Sequence, residues 1–307
     1  MTRIPLQGED DFELHNPMDA TNTAKTIRLL DGRALGYAEY GDPNGKPVVY
    51  FHGLPGSRLQ AQYLDAAAAH LGAKIIAPER PGCGLSDFKP KRKLLDWSQD
   101  VLALADKLQI DRFAVMGVSG GGPYAAVCAH QILERVTKAV FVAATSPMNV
   151  PNATDGMFLQ NRLLFGAARF APWLLPVMFN GMARGTNNPD AFINQASQRL
   201  AEADRAILQR DNRWSFLLAD MNEAFRNGVQ GAVWDTVLLA RPWGFRLEEI
   251  CVPTFLWQGE KDKNVPIAMG RYLASTLPSC QATFVPEAGH LSLIIGYAEP
   301  TINAAIS

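Results

Sequence analysis

Residues 112–136, RFAVMGVSGGGPYAAVCAHQILERV, decide the fold. FAVMGV is an apolar run of strand length, and PYAAVCAHQILERV has the apolar spacing of a helix. Between them stands Gly117-Val118-Ser119-Gly120-Gly121, a G-x-S-x-G at a strand-to-helix turn. A serine held at such a turn has a strained backbone that lifts its hydroxyl out of the sheet, and flanking glycines avoid the clash a side chain would make there. The helix that follows points its positive end at the same spot, where developing negative charge is favoured. The rival is a dinucleotide-binding turn, which needs G-x-G-x-x-G and an acid at the end of the next strand. Ser119 replaces the second glycine, and KAVFVAATSP carries no acid.

Working outward, PVVYFHG and AKIIAPERPG read as strands upstream and KAVFVAA as the strand downstream, with helical RLQAQYLDAAAAHLG and LLDWSQDVLALADKLQ between them. This alternation over residues 26–145 is the mark of βαβ units and a mostly parallel sheet, an α/β fold. From Pro147 to Arg246 it gives way to helical spacing in AFINQASQRLAEADRAILQ and RWSFLLADMNEAFRNGV. Strands return with VPTFLWQG and QATFVPEAG, on either side of helical IAMGRYLASTL. The expected organisation is a polar arm over residues 1–25, a core domain over 26–146 and 247–307, and a helical cap over 147–246.

The chain has 307 residues, 29 Lys+Arg against 30 Asp+Glu, and a net charge of -1, which removes the electrostatic footprint a nucleic-acid binder needs. Four scattered cysteines make neither a disulfide scaffold nor a zinc site. The N-terminus lacks the apolar run of a secretory signal, and no stretch approaches the roughly 18–20 apolar residues of a spanning helix. A cytoplasmic protein with no nucleic-acid or membrane partner is expected, and monomer and homodimer both stay open.

A serine hydroxyl is a poor nucleophile near neutral pH and needs a base, which in turn needs an orienting group. Of five histidines, His15 lies in the polar arm, while His70 and His130 sit late in helical segments as capping or surface residues. His52 ends PVVYFHG and precedes the serine, so a loop-shaping role suits it. His290, in Glu287-Ala288-Gly289-His290, stands in a loop after a strand, where the carboxyl edge of a parallel sheet collects functional groups. Asp262 occupies the equivalent loop after VPTFLWQG, with Glu260 as its competitor two residues away. An oxyanion hole would draw one N–H from Gly120 and one from the loop His52-Gly53-Leu54-Pro55-Gly56, where Leu54 is the choice.

With these motifs in view, the chain resembles the capped α/β-hydrolase superfamily, in its serine-hydrolase, esterase-like subgroup, over about residues 26–300. HGLPGSR, ERPGCGLSD, GVSGGGPYA, GEKDKNVP and EAGH stand at that family's positions and in its order. The resemblance implies an eight-stranded, mostly parallel sheet with the helical cap inserted after the sixth strand. It also implies a Ser119, Asp262, His290 triad in the family's chain order. Ser119 stands where the family's epoxide hydrolases and haloalkane dehalogenases carry aspartate, which disfavours both. Gly120 stands where its prolyl aminopeptidases usually carry tryptophan, which counts against peptidase activity.

The expected activity is hydrolysis of a small to medium, hydrophobic carboxylic ester, or a related lactone or thioester, through an acyl-enzyme. A small-molecule substrate and no metal or organic cofactor go with it. Met157, Phe158, Trp173 and Trp214 are candidates to line the pocket from the cap. A carbon–carbon bond hydrolase, a prolyl-type aminopeptidase and a small-molecule receptor with slow hydrolysis are the alternatives on the same three residues.

Overall fold

A computed structural model describes residues 23–211 and 213–307, so most of the polar arm, His15 included, falls outside it. The strands are β1 (Lys25–Arg28), β2 (Ala34–Gly41), β3 (Lys46–Phe51), β4 (Ala73–Pro78), β5 (Phe113–Val118), β6 (Val136–Val142), β7 (Thr254–Gly259) and β8 (Cys280–Val285). They form one eight-stranded sheet in the order β1-β2-β4-β3-β5-β6-β7-β8. β1 and β2 pair antiparallel, as do β2 and β4, while every pairing from β4 and β3 onward is parallel. All six residues of β5 are buried. A central parallel strand is covered on both faces, which is why FAVMGV is apolar throughout and does not alternate.

Helices α1 (Asp65–Leu71), α2 (Trp97–Lys107) and α3 (Gly122–Gln131) fill the first crossovers. Trp97, Val101 and Leu104 of α2 and Tyr124 and Val127 of α3 pack in one core with Phe51 and Val115. Ala68 of α1 joins a second core with Tyr50, Met116 and Ile302. Between β6 and β7 stand α4 (Leu159–Phe170), α5 (Leu175–Gly185), α6 (Pro189–Ser197), α7 (Glu202–Gln209), α8 (Arg213–Ala224) and α9 (Gln230–Leu239). The helical insertion therefore follows the sixth strand. The last helices are α10 (Ile267–Thr276), α11 (His290–Gly296) and α12 (Ala298–Ile306).

Two local expectations need revision. AFINQASQRLAEADRAILQ is not one helix but α6 and α7, broken where Ala201 turns extended (φ -57°, ψ 154°). Nothing in QRLAEAD breaks a helix by propensity; α7 instead packs on α11, and that tertiary docking sets its direction. His290 is the first residue of α11, not a loop residue, because Gly289 already serves as the N-cap.

Asp235 of α9 binds the insertion to the core. Its carboxylate is fully buried and accepts from Arg80 Nε (2.6 Å), from Tyr124 Oη (2.7 Å) and from Arg92. Burial alone would raise its pKa, but Arg80 and Arg92 reverse that and bring it to about 2. Removing one partner of a buried charge network leaves the others uncompensated. Asp235→Asn is expected to cost about 3–5 kcal/mol of unfolding free energy, read as a lower urea midpoint at pH 7. In the wild type this contribution is fully present above 3.8, the unfolded value, and is lost as pH falls toward 2.

Candidate active site

β5 ends at Val118, and Ser119 follows with φ +54°, a left-handed conformation that costs a non-glycine residue about 1–3 kcal/mol unless its surroundings dictate it. They do so here through close approach. A Cβ at Gly121 would fall on the Phe51 carbonyl, and one at Gly117 would come 2.7 Å from Gly122 Cα. Gly120 and Gly121 are buried, and Ser119 carbonyl accepts the Thr145 N–H at 3.1 Å.

Facing this turn is the loop after β3. Arg80, itself fully buried, donates to the carbonyls of His52 (2.5 Å) and Gly53 (2.7 Å), and Gln60 Oε1 accepts the Gly53 N–H at 2.7 Å. The Leu54 and Gly120 N–H groups donate to no acceptor among the described residues. They also lie close together: a Cβ on Gly120 would be 3.4 Å from Leu54 N. His52 is enclosed within its own loop, with Nδ1 3.0 Å from the Gly53 carbonyl and Nε2 accepting the Arg80 N–H at 3.3 Å. Burial, aided by the Arg80 charge, holds its pKa well below 6.5, so it is a neutral structural group.

At the neighbouring carboxyl ends of β7 and β8, Asp262 and His290 are joined. Asp262 Oδ1 accepts the Asn264 and Val265 N–H groups at 2.8 and 2.9 Å, which fixes the carboxylate, and Oδ2 lies 2.7 Å from His290 Nδ1. Nδ1–H thus donates to Asp262, leaving Nε2 as the acceptor. The competitor Glu260 is exposed. Burial opposes charging of the ring, yet Asp262, and behind it Asp204, raise the His290 pKa above 6.5.

The candidate pocket residues separate. Met157 is buried with Ala153, Val265 and Met269, and Trp214 with Leu208 and Ile295. Phe158 is half-buried and its N–H donates to the Lys263 carbonyl at 2.8 Å. Trp173 is 71% exposed. It lies in the short turn between α4 and α5, whose neighbours Leu175 and Phe179 are the buried residues there. One insertion side chain beside the elbow is one that sequence reasoning missed: Leu239 of α9, whose Cδ1 would be 3.3 Å from a Gly120 Cβ. A cavity of about 690 Å³ is walled by Asp155, Glu202, Glu260, Lys261, Asp262 and Lys263, and Ser119 is not in its walls.

Three further acids from the insertion serve the site's framework, and no sequence motif marked them. Asp204 binds the turn of His290, while Asp235, a lone acid in apolar AVWDTVLLA, binds Arg80. Asp220 Oδ1 accepts both the N–H and the hydroxyl of Ser57, each at 2.7 Å. Glu223, one turn along α8, pairs with Arg58 at 2.5 Å.

Residues 46–297 match the model of the alpha/beta hydrolase fold family. The chain belongs to that family, and hydrolase is its coarse class. A relative from Bacillus subtilis (strain 168), named as a 2-succinyl-6-hydroxy-2,4-cyclohexadiene-1-carboxylate synthase, is 27% identical over 86% of this chain and 90% of its own. A 2-hydroxy-6-oxononadienedioate/2-hydroxy-6-oxononatrienedioate hydrolase from Paraburkholderia phymatum is 27% identical over 87% of this chain and 89% of its own. An esterase structure from Exiguobacterium antarcticum superposes with a TM-score of 0.69 at 17% identity, covering 92% of this chain and all of that one. No described helix is long and apolar enough to cross a membrane.

Asp220 offers a test of this framework. Burial pushes its carboxyl up to about 7, so between pH 3.8 and 7 the folded state holds a proton that the unfolded chain releases. Stability due to this group falls as pH rises across that interval and is level above it. Asp220→Asn is expected to gain stability relative to wild type as pH rises from 4 to 7, measured by urea midpoints at each pH.

Proposed function

We propose that the protein is a serine hydrolase that cleaves a small to medium, hydrophobic carboxylic ester, or a related lactone or thioester, through an acyl-enzyme. The observation that carries this reading is the 2.7 Å Asp262–His290 pair with Nε2 left as acceptor. It stands at the same sheet edge as a serine on a strained elbow beside two uncommitted N–H groups. Ser119 Oγ attacks the carbonyl carbon while His290 Nε2 takes its proton, and the N–H groups of Leu54 and Gly120 stabilise the oxyanion. His290 then returns the proton to the departing alkoxide. Water, deprotonated by the same nitrogen, resolves the acyl-enzyme. Asp262 holds the ring's tautomer and stabilises its charged form. These steps call for no cofactor.

Leu239 beside Gly120 favours an apolar group on the substrate. A second reading is favoured by the likeness to the Paraburkholderia phymatum hydrolase, whose named substrate is an oxo acid and not an ester. Hydrolysis of a carbon–carbon bond next to a ketone would use the same three residues.

The test is turnover of p-nitrophenyl esters of short and medium acyl chains, beside a β-diketone and a proline amide. Ser119→Ala is expected to lower ester turnover by on the order of 10³-fold or more, and Asp262→Asn by about 10²–10⁴-fold through the wrong tautomer. Ester turnover that stays within a few fold of wild type in Ser119→Ala would overturn the mechanism, and turnover of the diketone alone would select the second reading.

A further inference from the structure

Helix α11 begins at the proposed base without a local side-chain cap. Gly289 holds the N-cap position, and glycine brings no oxygen to the first free N–H groups. The cap comes from α7, in the insertion. Asp204, 3% exposed, accepts the N–H of His290 at 3.0 Å through Oδ2, and through Oδ1 the N–H and hydroxyl of Ser292 at 2.8 and 2.7 Å. Ser292 Oγ in turn accepts the Gly289 N–H at 2.8 Å. A Cβ on Gly289 would lie 2.5 Å from the Asp204 carboxylate oxygens, so the glycine leaves the space that this distant carboxylate fills.

We infer that Asp204 is a positioning residue for His290, fixing the main chain of its turn and adding a second negative charge beside the ring, so that the base is set only while α7 is seated on α11. The inference rests on the reading of His290 as the base. Asp262 fixes the ring at Nδ1, and Asp204 fixes the backbone from which the ring projects; together they leave Nε2 one direction. The charged groups around the ring are these two carboxylates. Glu202 and Arg205 of α7 and Glu287 before α11 are exposed. An asparagine cannot replace Asp204, since its amide nitrogen would face either the His290 or the Ser292 N–H, donor against donor.

The experiment follows the His290 ring by NMR titration, and kcat and KM for a p-nitrophenyl ester against pH, in wild type, Asp204→Asn, Asp204→Ser and the control Arg205→Gln. Serine removes the charge without turning an amide donor toward the His290 or Ser292 N–H, so it guards against misfolding of the asparagine variant. In both Asp204 variants the expected ring midpoint falls by about half a pH unit or more, and the acid limb of kcat/KM moves to lower pH with it. Removal of a nearby negative charge disfavours the imidazolium, which sets the direction of both shifts. Expected kcat falls tenfold or more while KM stays within about threefold, as for loss of an interaction made only in the transition state; Arg205→Gln retains the wild-type midpoint. A folded Asp204 variant with lower thermal stability but an unmoved midpoint and acid limb would make Asp204 a structural cap only, and the inference would fail. A midpoint that falls in a protein that hydrolyses no ester would sink the proposed function and leave the positioning role standing.

Discussion

A guanidinium removed from water holds the centre of this molecule. Arg80 lies fully buried, with Asp235 to balance its charge and the carbonyls of His52 and Gly53 to accept from Nη1 and Nη2. An unpaired charge at that depth costs several kcal/mol, so its partners are fixed wherever Arg80 is fixed. It reaches in two directions at once. Toward the core it shapes the loop after β3, because a carbonyl turned toward Arg80 leaves the next N–H, that of Leu54, facing the serine turn. Toward the insertion it demands the carboxylate on α9. Arg92 and Tyr124 close the network on its other side.

Geometry at the elbow follows the same logic of close approach. The positive φ of Ser119 persists because Gly117 and Gly121 let the strand, the 3₁₀ turn and the β3 carbonyl edge come nearer than a methyl group allows. A glycine-rich turn is thus rigid here, since its glycines serve contact and not motion.

Local chemistry made much of this legible in the sequence. Ser119 sits in a turn whose glycines are adjacent in the chain, and Asp262 and His290 follow strands recognisable from six or seven residues each. The Asp262 to His290 pairing over Glu260 follows from an Asx-type turn, Asp262 accepting from Asn264 and Val265, which was within reach of inspection. What escaped is the set of carboxylates acting at a distance. Asp204 reaches His290 across 86 positions, and Asp220 reaches Ser57 across 163. Periodicity sees the helix that carries such an acid but not the turn it serves. The break between α6 and α7 escaped for the same reason, since α7 takes its direction from α11 and not from its own residues. The exposure of Trp173 was not legible either, since it comes from a short turn that apolar composition does not signal.

The three acids of the insertion together bear on how a molecule reaches the serine. Lifting the helices away as one rigid lid would strip Asp204 from α11, Asp220 from Ser57 and Asp235 from two arginines, orphaning buried donors at every step. Such a swing is far costlier than local rearrangement of apolar side chains such as Leu239, which rests on the elbow without a polar partner. On the proposed mechanism, access to Ser119 would then turn on rotamers of such side chains, which interconvert at the fast end of protein motion, with the helices held in place.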